Sequence, residues 1–462
     1  MMQLLSTKKL QGWHMADWLS LSDIASMAEG KLVGEDVSVS GISIDTRSIK
    51  FGDLFIALQG ERYDAHDFID ETVEQIAKAV FVHKNIESKL PKIIVDDTLA
   101  GLTRFAKAWR KKVNPKLVAI TGSNGKTTVK QMCHSILSHA GSTCFTKGNL
   151  NNHIGVPLTL LTLRKQHEYA VIEMGANHFG EIDHLSKLAE PDVAIINNAG
   201  PAHLEGFGSI AGVANAKGEI INGVVEGGAI VLNADDVYLD VWLAKSSHLK
   251  VITFGINNNA NIKGELKDDE ILFIATANTS FEVKLSIPGK HNAYNALAAI
   301  AATYALGISP QVMKEGLENA TPAAGRLQIK KAVLGATVID DTYNANPASL
   351  QAAIDVLCAQ SKEPWLVLGD MGELGADAKA IHAQMGINAK AAGVKKLFAL
   401  GDLSQNAVEK FGSNAFHFQD HESLTKELIA QLNSDSCILV KGSRAMHMED
   451  VVKVLEQTRP VN

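Results

Sequence analysis

Short β-branched runs alternate along the chain with longer stretches whose apolar residues recur at helical spacing, the pattern of parallel α/β sheets. In the first part, strand-like runs at 39–44, 54–57, 80–82 and 93–95 precede a helical pattern over 98–113 that Asn114-Pro115 terminates. The uncharged run Leu117-Val118-Ala119-Ile120 then reads as a fully buried strand, and further strands are expected at 169–173, 193–197, 229–232 and 251–254. Between 257 and 288 the pattern changes to ILFIATA and FEVKLSI around Asn-Thr-Ser, an antiparallel hairpin added to the parallel sheet. An Ala-rich helix over 292–305 closes this block. Thr321-Pro322-Ala323-Ala324-Gly325 reads as a linker. Strands at 337–339, 365–368, 397–400 and 437–440 follow, with a last helix over 446–455. The expectation is an α/β chain of three domains: a small mixed domain over 1–114, a central parallel sheet with added antiparallel strands over 115–320, and a second parallel domain over 321–462.

Composition narrows the function. Of 462 residues, 46% are hydrophobic and 21% charged, a globular balance. The formal net charge of -7 argues against a general nucleic-acid binder, which needs a basic face. Cys133, Cys144, Cys358 and Cys437 lie far apart without metal-ligand spacing, as in a reduced protein. The first residues lack the apolar stretch of a signal peptide, and NALAAIAATYALG is too short to span a bilayer. A cytoplasmic protein without membrane insertion is expected, with Met15 as a second candidate start.

The strongest chemical signal follows the buried strand: Thr121-Gly122-Ser123-Asn124-Gly125-Lys126-Thr127-Thr128, then the helical run VKQMCHSIL. Strand, glycine-rich turn, Lys-Thr and helix is the context of a nucleoside-triphosphate loop. The two glycines let backbone N–H groups face phosphate oxygens, and the helix N-terminus adds its dipole. Lys126 supplies charge to the outer phosphates and Thr127 a hydroxyl toward Mg2+. Ile120 stands where the first glycine of G-x-x-x-x-G-K-[ST] belongs, so the alternative is an ordinary capped turn; Gly, Gly, Lys and Thr together argue against it.

Such a loop needs a carboxylate at a neighbouring strand end, and Glu173 fits, although a solvated turn residue is the competing reading. His203 is a second candidate ligand. Lys217, by residue type alone, reads as a surface lysine paired with Glu219. Asn292 is a candidate N-cap, with recognition of an adenine edge by Asn292 or Asn295 as the sharper alternative. Arg326 suits a phosphate fork, and Asp340 or Asp341 a ribose diol.

The ordered set TGSNGKTT, GNLNNHIGVP, EMGANHFGEI, HLEGFGS, NAKGEI, PGKHNAYNALAA, GR, DDTYNANP, GDMGELG and VKGSR resembles the Mur ligases of bacterial peptidoglycan synthesis across nearly the whole chain. EMGAN and DDTYNANP look like the branch that adds a dipeptide. The family also uses T-G-x-x-G-K-[ST], which accounts for Ile120. The resemblance implies a UDP-substrate domain, a central ATPase and a C-terminal Rossmann-like domain. It implies an ADP-forming ligase that joins D-alanyl-D-alanine to UDP-N-acetylmuramoyl-tripeptide, acting as a monomer with ATP and two Mg2+ ions. Residues 121 to 128 would bind ATP, with Thr127 and Glu173 toward one Mg2+ and His203 toward the other. Lys217 matches a lysine that is carbamylated in the family. Asn295 would face adenine, Arg326 the phosphates, and Asp340 or Asp341 the ribose. Asp45, Thr46, Arg47, Asn149, Asn151 and Asn152 would contact the UDP-sugar peptide, and Asn346, Ser443 and Arg444 the dipeptide.

Overall fold

The computed structural model describes residues 18–201, 204–267 and 270–456. Met15 and His203 lie outside the described residues. The chain divides into two compact units, Met1–Asn114 with Pro157–Arg164, and Pro115–Val156 with Lys165–Asn462.

The first unit holds a five-stranded sheet in the order Lys31–Val33, Lys92–Ile94, Ala79–Val82, Asp53–Ile56, Gly41–Ser43. The last four run parallel, with Lys31–Val33 antiparallel at the edge. Ala79–Val82 is buried along its whole length, so it shows no alternation in the sequence. The predicted helix Thr98–Val113 is present. The Asp97 carboxylate caps it, Asn114 ends it in the left-handed region, and Arg110, Lys111 and Lys112 fill its last turn, where the helix dipole favours cations. The segment Pro157–Arg164 belongs here because the Trp109 indole donates to the Leu163 carbonyl at 3.0 Å and the Arg164 guanidinium lies 4.2 Å over the Trp18 ring.

The second unit contains two sheets. The larger has nine strands, in the order Ser280–Lys284, Ile271–Ala275, Ile262–Lys267, Lys250–Gly255, Ala229–Asn233, Val193–Ile196, Lys116–Thr121, Tyr169–Glu173, Thr143–Phe145. The expected hairpin pairs antiparallel through Ile271–Ala275 and Ser280–Lys284. The strand Ile262–Lys267, which the sequence pattern did not mark, connects it to the parallel part. Lys116–Thr121 pairs on one side with Tyr169–Glu173 and on the other with Val193–Ile196, both in parallel. From this strand the chain goes to the edge strand Thr143–Phe145, returns through Tyr169–Glu173 and then crosses to Val193–Ile196 on the other side; the connections diverge at Lys116–Thr121, so a crevice opens beyond its carboxyl end, where ligands bind in doubly wound sheets.

Six strands form the second sheet, in the order Gln328–Lys331, Thr337–Asp340, Cys437–Lys441, Pro364–Gly369, Lys396–Leu400, Ala415–Phe418. Only Gln328–Lys331 is antiparallel. Helices Lys126–Ala140 and Lys290–Ala305 bury Val129, Met132, Cys133, Ile136, Ala296 and Leu297 against the nine-stranded sheet. That core continues into Leu366, Leu368 and Leu439 of the six-stranded one. Cys133, Cys144 and Cys437 are buried and free, Cys358 half-buried and free. Among the described residues no helix is long and apolar enough to cross a membrane.

Candidate functional site

Lys116–Thr121 delivers the chain into the predicted turn at the crevice. Gly125 has φ +80°, and a Cβ there would lie 2.5 Å from Asn197 Nδ2 and closer still to Asn295 Oδ1. The position therefore needs glycine for both conformation and space. Lys126 folds back, its Nζ donating to the Gly122 carbonyl at 2.6 Å. Its pKa is lowered by burial and by Arg326, against an opposing pull from Glu173.

Glu173 ends its strand inside the protein, only 2% exposed, so it is no solvated turn residue. Thr127 Oγ1 donates to Glu173 Oε2 at 3.1 Å, and Asn151 Nδ2 donates to Oε1 at 2.8 Å. Lys130 Nζ, 1% exposed, lies 3.1 Å from Oε2 and also donates to the Gly148 carbonyl at 3.1 Å. Burial pushes the Glu173 carboxyl up, but the charges of Lys130 and Lys126 and the Asn151 hydrogen bond outweigh it and hold it below the ordinary value. Lys130 has no role in the sequence reading; one turn after Lys126 it looks like any solvated helix charge.

These groups open into a cavity of about 640 Å³. Its described lining includes Ser123 to Thr127, Asn149, Asn151, Asn152, Glu173, Arg326, Asn346, Ser443 and Arg444. A second cavity of about 360 Å³ shares Asn124, Gly125 and Arg326 and adds Thr128, Asp235, Asn292, Tyr294, Asn295, Asp341 and Lys441. Thr121 lines neither; it is fully buried in its strand. Tyr294 donates its hydroxyl to Asp235 Oδ2 at 2.8 Å. Asn292 is not the expected cap. The helix begins after Gly289, and the Asn292 amide instead donates to the Pro288 carbonyl and accepts from Asn295 Nδ2 at 3.0 Å. Asn197 Nδ2 donates to Asn295 Oδ1 at 2.9 Å, a buried amide chain that fixes Asn295.

Of the two ribose candidates, Asp341 lines the smaller cavity and is paired with buried Lys441, whereas Asp340 turns to Lys330 at 3.0 Å and to the Thr342 hydroxyl. Arg326 lies 4.2 Å over the Tyr343 ring, and its Nε has no hydrogen-bond partner among the described residues. Asn346 caps the helix Pro347–Gln360 and donates to Asn124 Oδ1 at 2.7 Å, joining the two sheets of this unit at the phosphate loop. Asp45, Thr46 and Arg47 belong to the other unit. There Arg47 holds Asp45 with Nη2–Oδ2 at 2.7 Å, and this hydrogen-bonded pairing lowers the exposed Asp45 carboxyl to about 2.

Lys217 overturns the surface reading. It is 0% exposed, its Nζ has no hydrogen-bond partner among the described residues, and Glu219 instead accepts from the Gly180 and Asp183 N–H groups. The small neighbours Ala214, Ala216 and Gly218 allow this burial. Desolvation, reinforced by Lys126, lowers the Lys217 amine to about 7. No three His, Cys, Asp or Glu side chains converge as a metal cage among the described residues. A hydroxyl and one ionised carboxylate beside a phosphate loop are nevertheless the donors Mg2+ uses when nucleotide oxygens and water complete its shell.

Three family models match: Mur ligase family, catalytic domain, over residues 38–138; Mur ligase middle domain over 120–303; and Mur ligase, glutamate ligase domain, over 325–444. A UDP-N-acetylmuramoyl-tripeptide--D-alanyl-D-alanine ligase of Escherichia coli is 42% identical over 95% of this chain and 98% of its own. The crystal structure of MurF from Acinetobacter baumannii superposes with a TM-score of 0.89 at 34% identity, covering 96% of this chain and all (100%) of that one. A MurF ligase from Thermotoga maritima, solved in complex with ADP, gives 0.80 at 28% identity over 90% of this chain and 96% of its own. Similarity of this extent, spanning all three matched domains, means that the chain belongs to the Mur ligase family.

Proposed function

We propose that the protein joins D-alanyl-D-alanine to UDP-N-acetylmuramoyl-tripeptide with conversion of ATP to ADP and phosphate. The observation that carries this reading is the charge left uncompensated around one cavity. Lys130 neutralises Glu173, while the like charges of Lys126 and Arg326 face one another along the same cavity. A polyanion satisfies that arrangement, and the phosphate loop supplies the backbone donors for it. Adenine takes the cavity beside Asn295, the ribose meets Asp341, and the phosphates meet Ser123 to Thr128 and Arg326. With domains divided at 114/115 and 320/321 as proposed, Asp45, Thr46 and Arg47 take the UDP end. The reacting peptide end goes to Asn149, Asn151 and Asn152.

A peptide carboxylate is a poor acyl donor. Its oxygen attacks the γ-phosphorus, ADP leaves, and a mixed carboxylic-phosphoric anhydride forms. The dipeptide amine then attacks the carbonyl, loses its proton, and expels inorganic phosphate. Lys126 and Arg326 offset the charge that builds on the transferred group, and positioning in the cavity supplies much of the remaining acceleration. Thr127 and Glu173 would hold one Mg2+, and Lys217, once carbamylated, would hold a second together with His203. When bound, these ions neutralise phosphate oxygens and polarise the reacting centre. Carbamylation needs a neutral amine to attack CO2, and the lowered pKa of Lys217 supplies one near neutral pH. The test is ADP release with UDP-N-acetylmuramoyl-tripeptide across a panel of amine acceptors. D-alanyl-D-alanine is expected to give robust turnover and single amino acids none; preference for a single amino acid defeats the assignment.

A further inference from the structure

Three buried asparagines form a hydrogen-bonded relay beside the smaller cavity, and the two ends of the relay fix its direction. Asn197 Nδ2 donates to the Asn124 carbonyl at 3.0 Å and to Asn295 Oδ1 at 2.9 Å. Asn295 Nδ2 donates to Asn292 Oδ1 at 3.0 Å, and Asn292 Nδ2 donates to the Pro288 carbonyl at 2.8 Å. Gly125 sets the relay directly against the phosphate loop, since a Cβ there would meet Asn295 Oδ1 and Asn197 Nδ2.

A carboxamide is nearly symmetric in shape, so hydrogen bonds rather than packing choose which end carries the oxygen. Both ends of this relay meet backbone carbonyls, which only accept. The Asn124 carbonyl requires the amino group of Asn197, and the Pro288 carbonyl requires that of Asn292. Working inward from either end gives the same arrangement at Asn295, oxygen toward Asn197 and amino group toward Asn292. Reversing any one amide would set like atoms against each other in a buried contact and leave polar groups unsatisfied. The direction is kept even at a cost: Asn197 Oδ1 is buried without a hydrogen-bond partner among the described residues, while both N–H groups of that amide are spent on the relay. Asn295, which lines the cavity, retains one N–H on Nδ2 and one acceptor direction on Oδ1. That pair complements an adenine edge, whose 6-amino group donates beside a ring nitrogen that accepts. A 6-oxopurine such as guanine or hypoxanthine puts an oxygen where the amino group stands, facing Oδ1. A free amide would turn over to receive it; this one is held.

We infer that Asn197 and Asn292 are positioning residues that lock the polarity of the Asn295 amide, so that the site selects ATP against 6-oxopurine triphosphates. This rests on the proposed reading that places adenine beside Asn295. Asn197 lines neither cavity, so it acts through its neighbours and not on the nucleotide itself.

Titration calorimetry of the full-length protein with ATP and with ITP, both with Mg2+, tests this. ITP carries the 6-oxo group without the 2-amino group of GTP, so crowding elsewhere on the base plays no part. The parent is expected to bind ITP on the order of tenfold to a hundredfold more weakly than ATP, the discrimination that a bidentate amide contact supplies. Asn197→Leu and Asn292→Leu each remove one anchor of the relay, and the ATP-to-ITP affinity ratio falls in both. It falls furthest in the double variant, where Asn295 is free to turn over. There ITP binds more tightly than it does to the parent, a gain that a merely damaged fold does not produce. Asn197→Ala and Asn292→Ala, which open space rather than add apolar atoms, replace any leucine variant that does not melt cooperatively. Equal affinity of the parent for ITP and ATP overturns the inference, and so does a parental ratio in the folded double variant. Absence of ATP binding by the parent overturns the nucleotide reading itself. Ligation of a single amino acid in place of the dipeptide defeats the acceptor assignment and leaves this inference standing, so the failures are distinct.

Discussion

Replacing Lys130 by Met leaves Glu173 buried without its cation. Both side chains are nearly inaccessible, at 1% and 2%. Removing one partner of a buried pair costs about 3–5 kcal/mol, because the remaining charge keeps its desolvation penalty. Asn151 at 2.8 Å and Thr127 at 3.1 Å still hydrogen-bond the carboxylate, which favours the lower end. For a unit of this size about 3 kcal/mol lowers the Tm by roughly 5 °C. The pH dependence has a definite sign. In the parent protein the Glu173 pKa is lowered, so its contribution is present above the unfolded carboxyl value and lost as pH falls through the folded one. Without Lys130 the burial that pushes the carboxyl up is less opposed, so that pKa moves up and the variant's deficit shrinks as acid neutralises the carboxyl. Calorimetric melts at pH 8 and pH 5, in chelator and in excess Mg2+, read all of this. Mg2+ restores more stability to the variant than to the parent, since it takes over neutralisation of Glu173. Adding Glu173→Gln to Lys130→Met recovers part of the loss. A metal-free Lys130→Met protein as stable as the parent at pH 8 refutes the ion-pair argument.

Gly125→Ala forces a Cβ against Asn197 and Asn295 at φ +80°; overpacking of this kind costs about 1–3 kcal/mol, and titration calorimetry is expected to find no ATP binding. Lys126→Ala removes an ammonium whose hydrogen bond goes to its own loop, at the Gly122 carbonyl, so ADP formation is expected to vanish while the Tm holds. Carbon-13-labelled bicarbonate is expected to give a carbamate resonance that Lys217→Ala abolishes, with occupancy falling as pH drops below about 7. In CO2-free buffer, unmodified Lys217 makes stability rise with pH from about 7 toward the unfolded lysine value, because the unfolded chain binds the proton that the folded chain releases.

The phosphate loop was legible because its chemistry is local: two glycines, a lysine and a threonine at fixed spacing after an apolar run. The strand Tyr169–Glu173 was legible for the same reason, its pattern ending on the one carboxylate. Lys130 was not, because its partner sits on another element. The parallel register that sets Glu173 beside Ile120 brings the carboxylate to the first turn of the helix, and no local pattern encodes it. Lys217 misled for a related reason, since Glu219 two residues later suggested a surface pair, whereas its carboxylate is occupied by the Gly180 and Asp183 N–H groups. Asn292 sat at a helix start and read as a cap, but the amide is spent on Pro288 and Asn295. The strand Ile262–Lys267 escaped notice because Lys263, Glu265 and Lys267 dilute its apolar positions, and Ala415–Phe418 because it is short and only partly buried.

Isotope transfer tests the claim on which the mechanism stands, that the peptide carboxylate is activated by phosphorylation. UDP-N-acetylmuramoyl-tripeptide labelled with oxygen-18 in its terminal carboxylate is turned over with ATP and D-alanyl-D-alanine, and the released phosphate is weighed. One labelled oxygen in the inorganic phosphate is the predicted result; unlabelled phosphate formed alongside ligated product contradicts the account.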